Sequence, residues 1–115
     1  MGIFDNLPIS GIIIDHDYWQ KQEIVDIVEE NISVFSRAKL FVHYLGNRLT
    51  IELIGITEKG EPSRKLVWEK EYDNQSLSEF LVSTLNFNNE EKEEFLLKGR
   101  LSFNVDEFLN KLWKK

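Results

Sequence analysis

Asp15, His16 and Asp17 form the stretch whose residue types and spacing could do chemistry. A histidine between two carboxylates can bind a divalent metal or share a proton with a neighbour. Adjacent residues in a loop point in different directions, however, and a third metal ligand would have to come from elsewhere in the chain. We therefore expect a loop and a helix cap here, and a small metal-dependent hydrolase that uses these residues is our lowest-ranked hypothesis.

Other reactive residue types are sparse. The second histidine, His43, falls in a predicted strand, where we expect it on the surface. The chain has no cysteine, so disulfides and thiolate metal sites are excluded. No serine lies in a nucleophile elbow, and no glycine-rich loop joins a strand to a helix. The sequence therefore predicts no enzymatic activity, no catalytic residues, no metal and no cofactor.

A predicted hairpin begins the set of elements that would position any site. The runs 38–45 and 48–57 are rich in β-branched, aromatic and aliphatic residues and are separated by Gly46 and Asn47. A glycine at the first position of a two-residue turn favours a type II′ hairpin. That turn sets residue 45 opposite residue 48, and all further pairs follow from it. One apolar face then holds Leu40 opposite Leu53, Val42 opposite Ile51 and Tyr44 opposite Leu49.

A third strand is predicted at residues 64–72, after a turn that contains Gly60 and Pro62. We expect Gly55, in the second strand, to make room for a neighbour or to mark a bulge. Folding about residues 60–61 extends the same apolar face, with Trp68 opposite Leu53, Leu66 opposite Gly55 and Tyr72 opposite Leu49.

Helices are predicted on both sides of these strands. Asp17 caps a first helix that runs to about residue 36, and residues 9–14 before it indicate a short strand. Capping patterns at 76–79, 88–91 and 104–107 predict shorter helices. Gly99 ends the second of these, before a short extended piece at 100–103. The first helix should bury Ile24, Ile27, Val28, Ile32 and Phe35. Of the later helices, the one that Gly99 ends should bury Phe95, Leu96 and Leu97. The helix before it carries Phe80, Leu81 and Leu85, and the last one carries Val105, Phe108, Leu109, Leu112 and Trp113.

The predicted fold class is α+β. A three-stranded antiparallel meander, at about 38–72, has a long N-terminal helix on one face and is followed by two to three short C-terminal helices. The chain has 115 residues, of which 42% are hydrophobic and 30% charged, as is typical of a soluble domain. Without a repeat, a low-complexity tract or a linker, residues 1–115 are expected to form a single domain.

Negative charge is concentrated at the start of the chain. The net charge is −6, and residues 1–36, with seven acids and one base, also carry −6. Residues 37–72 balance to +2 and residues 73–115 to −2. Such a field repels phosphate backbones and attracts basic proteins, so we expect no nucleic-acid partner. With no secretory signal and no apolar run long enough to span a bilayer, we expect a cytoplasmic protein without a membrane partner.

Two surfaces are candidates for binding. An acidic surface on the first and third helices would bind a basic protein partner, and it comprises Glu23, Asp26, Glu29, Glu30, Glu90, Glu91, Glu93 and Glu94. The mixed face of the sheet carries too many large apolar groups for a fully exposed surface. We expect a terminal helix or a second subunit to cover it, and its apolar residues are Phe41, Leu45, Ile54, Ile56 and Val67.

The leading hypothesis is a small acidic protein-binding module, most specifically a stoichiometric inhibitor of the bacterial immunity or antitoxin type. Such a protein would neutralise a basic toxin, for example a nuclease, with charge speeding association and aromatic anchors supplying affinity. The alternative is a non-enzymatic adaptor or regulatory subunit that homodimerises through the mixed sheet face. The acidic residues also fit an ordinary solvated helix face that keeps a protein soluble.

Overall fold

The computed structural model describes residues 16–113 and places a layer of helices on one face of a four-stranded sheet. The helices are α1 (His16–Asn31), α2 (Asn74–Glu79), α3 (Asn89–Lys98) and α4 (Val105–Trp113). The strands are β1 (Phe35–Leu45), β2 (Arg48–Thr57), β3 (Pro62–Glu71) and β4 (Arg100–Asn104). They are antiparallel in the spatial order β3-β2-β1-β4. The α+β class is confirmed, with one strand more than the predicted meander; the strand predicted at 9–14 lies outside the described residues.

The β1–β2 hairpin has the predicted register. Val42 pairs with Ile51, and the pairing extends without interruption to the turn at Gly46 and Asn47. Gly46 and Asn47 both have positive φ, at 60° and 66°. Two positive values define a type I′ turn, so the predicted type II′ turn is wrong. The register survives because both turn types have two residues, and asparagine tolerates the left-handed backbone better than most side chains.

The turn before β3 differs from the prediction. The N–H of Gly60 donates to the carbonyl of Thr57 at 2.9 Å, and the N–H of Thr57 donates to the carbonyl of Glu61 at 2.8 Å. Gly60 has a φ of 83°. These bonds define a three-residue loop, 58–60, that ends in a left-handed glycine, which is a common hairpin type. The predicted fold about residues 60–61 is therefore wrong, and every partner along β3 shifts.

A bulge at Val67 shifts the register of β3 a second time. Trp68 pairs with Ile51 and Leu66 pairs with Glu52, which leaves Val67 as an extra residue in β3. Val67 is only 3% exposed and belongs to the core, whereas Leu66 is 52% exposed. The prediction that Val67 lies on the mixed sheet face is wrong, and Leu66, paired with Glu52, occupies that face.

The strand β4 forms the other edge of the sheet. Phe41 of β1 pairs with Ser102, and the N–H of Tyr44 donates to the carbonyl of Gly99 at 2.9 Å. Gly99 ends α3 with a φ of 77°, as predicted, and the chain enters β4 at the next residue. The predicted extended piece at 100–103 is therefore a paired strand.

Local hydrogen bonds set the ends of the helices. α1 ends at Asn31, and Phe35 begins β1 after one 3₁₀ turn, so the predicted end at residue 36 is too late. Asp73 caps α2 by accepting the N–H of Ser76 at 2.8 Å, three residues before the predicted start. That bond lowers the pKa of the Asp73 carboxyl. α2 continues into a π-helical turn at Phe80–Thr84.

One hydrophobic cluster joins the helices to the sheet. Leu40, Val42, Ile51 and Leu53 are fully buried, as predicted, under a layer that includes α1. The helices contribute Ile24, Val25, Val28, Leu77, Phe80, Leu81, Leu85, Phe95, Phe108 and Leu112. The predicted burial of Leu96 and Leu97 is wrong, because both are exposed, and Trp113 is exposed as well. No helix within residues 16–113 is long and apolar enough to cross a membrane.

Candidate functional site

The outward face of α1 displays the acidic residues predicted there. Ile24 and Val28 point into the core, and Glu23, Asp26, Glu29 and Glu30 are all exposed on the other side. Positions three or four apart share a helix face, so Glu23, Asp26 and Glu30 form one line along the helix. We call these three residues with Glu29 the α1 carboxylates.

The α1 carboxylates have no basic partner within the described part of the chain. Asp26 accepts a hydrogen bond from the Gln22 amide at 2.8 Å. Among residues 16–113, no lysine or arginine forms an ion pair with any of the four. Their negative charge is therefore directed at the solvent and at any approaching protein.

An aromatic cluster lies at the N-terminal end of the same helix face. The ring of Tyr18 is 5.2 Å from that of Trp19 and 5.7 Å from that of Trp113 in α4. All three are exposed, with Trp19 at 50%. Tryptophan and tyrosine are the residues most enriched in the energetic centres of protein interfaces. Trp19 lies four residues before Glu23, so the aromatic cluster and the line of carboxylates form a continuous surface.

The carboxylates predicted on α3 are placed differently. Glu91 accepts the N–H of Asn88 at 3.0 Å in a capping box and forms an ion pair of 2.7 Å with Lys111 of α4. Glu94 pairs with Lys98 at 2.9 Å. Glu90 and Glu93 are exposed and have no ion pair within the described residues. Half of this group is therefore engaged in ion pairs: Glu91 joins α3 to α4, and Glu94 pairs within α3.

The two acidic groups do not form one surface. α1 contacts β3 and α3 contacts β4, which are the opposite edges of the sheet. α4 contacts α1 and reaches α3 through the pair of Lys111 and Glu91, so it lies between them. Neighbouring helices are spaced by about 8–10 Å. A partner centred on α1 would therefore reach the carboxylates of α3 only by spanning α4.

The second candidate surface is the face of the sheet that points away from the helices, which we call the outer sheet face. Its central row, across the four strands, is Leu66, Glu52, Phe41 and Ser102. The row on one side is Arg64, Ile54, Lys39 and Asn104, and the row on the other is Glu69, Thr50, His43 and Arg100. Of the residues predicted there, Phe41, Ile54 and Ile56 are partly exposed and Leu45 is fully so.

A polar network crosses the outer sheet face. Arg64 donates to Glu52 at 2.7 Å, and Nε2 of His43 lies 3.4 Å from the same carboxylate oxygen. The hydrogen bond from Arg64 holds the pKa of Glu52 below its ordinary value. Arg48 lies 3.5 Å from Glu69 and 3.3 Å from Glu71. The acidic groups of this face are thus paired with bases of the same face.

The residues first considered for chemistry show no reactive arrangement in the described chain. Asp17 lies within α1, and its carboxylate and the amide oxygen of Gln20 accept from the buried hydroxyl of Thr84, at 3.1 and 2.9 Å. These bonds join α1 to the π-helical turn, so Asp17 is not the predicted capping residue before the helix. Asp15 and the side chain of His16 lie outside the described residues. Within residues 16–113 no three histidine or acidic side chains are grouped to hold a metal.

The aromatic cluster was the feature of this site that the charge pattern did not reveal. Its sequence signal was the position of Trp19 four residues before Glu23, on the same helix face as the carboxylates. No family model, no curated protein and no solved structure matches the chain. The function is therefore argued from these two surfaces alone.

Proposed function

We propose that this chain is a small protein-binding module that binds a basic protein through the outward face of α1. The observation that carries the proposal is the continuity of the α1 carboxylates, which form no ion pair with a lysine or arginine of residues 16–113, with the exposed aromatic cluster of Tyr18, Trp19 and Trp113. Protein interfaces commonly combine aromatic anchors, which supply most of the binding energy, with charges that steer the encounter.

The most specific form of the proposal is a stoichiometric inhibitor of the immunity or antitoxin type. A basic toxin such as a nuclease carries the charge that complements α1, and occupation of its active-site cleft by one folded chain would neutralise it. Residues 1–36 carry a charge equal to the net −6, and four of their seven acids are the α1 carboxylates, which supports a partner that approaches from the α1 side.

Affinity capture from the native host tests this proposal. We expect the immobilised wild-type chain to retain a protein of basic isoelectric point, identified by mass spectrometry. A variant with Glu23→Gln, Asp26→Asn, Glu29→Gln and Glu30→Gln should lose most of that retention, as should Trp19→Ala. The matched control is Glu90→Gln with Glu93→Gln, which neutralises exposed carboxylates of α3 and should leave retention unchanged.

Addition of the purified chain to the captured protein then tests inhibition. An inhibitor titrates the activity of its partner to zero at one chain per partner molecule, and the α1 variant does not. Retention of no basic protein, or retention that does not depend on α1, would refute the binding proposal. A bound partner that keeps its full activity would refute only the inhibitor form.

A further inference from the structure

The outer sheet face is a part of the described fold whose apolar residues the helices do not bury. The hydrophobic cluster includes side chains from every helix, but it does not include Phe41, Ile54, Ile56 or Leu66. These residues lie on β1, β2 and β3, and they point away from the helical layer. Sheets with one apolar face normally bury it against a second layer, so this face lacks a counterpart within residues 16–113.

The acidic groups on this face are already paired with bases, so burying them would cost less than burying unpaired charges. Glu52 already accepts from Arg64, and Glu69 already pairs with Arg48. Burial of an ion pair still carries a desolvation penalty, but the penalty is smaller than for a charge without a partner. The central row carries apolar groups at Leu66 and Phe41, on either side of Glu52.

From this layout we infer that the outer sheet face binds the same face of a second copy of the chain in a two-fold symmetric dimer. An axis that runs across the strands along the central row would place that row of each copy on its counterpart. The rows that contain Arg64 and Glu69 lie at equal distances on opposite sides of the central row. The same axis would therefore place the Arg64 row of one copy on the Glu69 row of the other. Leu66 would then meet Leu66 of the second copy, and Arg64 would meet Glu69 of the second copy.

The exchange of Arg64 and Glu69 favours a second copy as the occupant. An acidic partner would complement Arg37, Lys39 and Arg100 but would be repelled by Glu69 and Glu71. In the two-fold arrangement Arg64 and Glu69 of one copy meet Glu69 and Arg64 of the other, which is the self-complementarity that a two-fold interface requires, whereas Glu52 meets Glu52 on the axis. The face is about 15 Å wide and 25 Å long, so two faces cover a projected area of roughly 750 Å², which is below the size of a standard stable complex. We therefore expect a reversible dimer, and its formation does not depend on the function proposed for α1.

Sedimentation velocity over a range from low micromolar to near-millimolar concentration tests the dimer. We expect a transition from monomer to dimer that saturates at two chains, because a two-fold contact closes on itself. Leu66→Asp and, separately, Phe41→Ser should each raise the dissociation constant at least tenfold. The matched control is Leu97→Asp, which changes a leucine of α3 that is 84% exposed and should leave the constant unchanged. Circular dichroism checks that each variant is folded.

A charge exchange tests the symmetry axis itself. Arg64→Glu and Glu69→Arg should each weaken the dimer, and the double variant should partly restore it, because the contact between copies forms again while the pairs with Glu52 and Arg48 within each chain stay broken. With the bulge at Val67 between them, these residues are separated by four strand positions, about 14 Å, so they do not pair within one chain. Restoration therefore reports a contact between copies, and a double variant as weak as the singles would overturn the assigned geometry.

A chain that remains monomeric at the highest concentration would overturn the proposal. Labelling of His43 with diethyl pyrocarbonate would then identify the alternative occupant. If the chain is monomeric and His43 resists labelling, another part of the same chain covers the outer sheet face. If the chain is monomeric and His43 reacts, the outer sheet face is free to bind a different protein.

Discussion

Glu52 shows how a single side chain links the polar network of the outer sheet face to pH. Its carboxylate accepts from Arg64 and lies beside His43, and its pKa is below the ordinary value of 4.5. A depressed pKa means that the folded state favours the ionised form. The stability that this carboxylate contributes is therefore present above about pH 4.5 and is lost as the pH falls through the folded-state pKa.

Replacement of Glu52 by glutamine should remove this contribution. We expect Glu52→Gln to lower the melting temperature by a few degrees near neutral pH and to make the loss of stability in acid shallower. Thermal unfolding at a series of pH values, at a concentration where the chain is monomeric, measures both effects. The control is Glu69→Gln, whose ion pair with Arg48 is more exposed and should contribute little. Superimposable pH profiles of Glu52→Gln and wild type would contradict the prediction.

Individual residues were predictable where alternation alone decides burial. Leu40, Val42, Ile51 and Leu53 are fully buried because a two-residue turn fixes their register whichever turn type forms. Val67 was misplaced because a bulge is an extra residue in one strand, and no local pattern marks it. The aromatic cluster was missed because Tyr18 and Trp113 are far apart in sequence and meet only through the contact of α1 with α4.

At the scale of the elements, the contact of β1 with β2 depends on Gly55. A β-carbon at this position would collide with the carbonyl oxygen of Arg37 and would lie 2.6 Å from the α-carbon of Ala38. The close approach coincides with the irregularity between Phe35 and Arg37, where β1 has one residue more than its partner. The prediction that Gly55 makes room for a neighbour is confirmed.

A methyl group at Gly55 should therefore force the first residues of β1 away from β2. We expect Gly55→Ala to reduce the free energy of unfolding by about 1–3 kcal/mol, which is typical of overpacking in a rigid site. Urea denaturation followed by tryptophan fluorescence measures the loss. The double variant with Ala38→Gly is the control, because it removes one side-chain contact and leaves the backbone collisions in place. A wild-type stability for Gly55→Ala, or full recovery in the double variant, would contradict this account.

The elements differed from prediction where distant parts of the chain determine them. β4 has only five residues, and it becomes a strand because it pairs with β1, which precedes it by more than fifty residues. α3 lies beside that edge strand and buries Phe95, while Leu96 and Leu97 remain exposed. A helix at the edge of a fold needs only a narrow apolar face, and the sequence pattern does not state how much of a helix will be covered.

At the scale of the whole molecule, the fold converts a charge difference along the sequence into a difference between two sides. The helical side presents the α1 carboxylates without basic partners, whereas the outer sheet face pairs its acids and leaves Arg37, Lys39 and Arg100 without an ion pair within residues 16–113. The charges summed over segments of the sequence predicted the acidic helix. Only the fold shows that α1 and α3 lie at opposite edges of the sheet. The electrostatic field of such a molecule depends on orientation, and net charge alone does not describe it.

This asymmetry predicts how the protein binds a flat positively charged surface. A molecule with concentrated charge can turn its acidic side toward an anion-exchange matrix, so charges on that side determine retention. The triple variant Glu23→Gln, Asp26→Asn and Glu30→Gln should elute at clearly lower salt than the triple variant Glu58→Gln, Glu61→Gln and Glu79→Gln. Both remove three negative charges from the same net −6, and all six positions are exposed. Co-elution of the two variants would mean that the α1 carboxylates contribute no more to the electrostatic field than other exposed carboxylates do. That result would remove the steering argument for a basic partner.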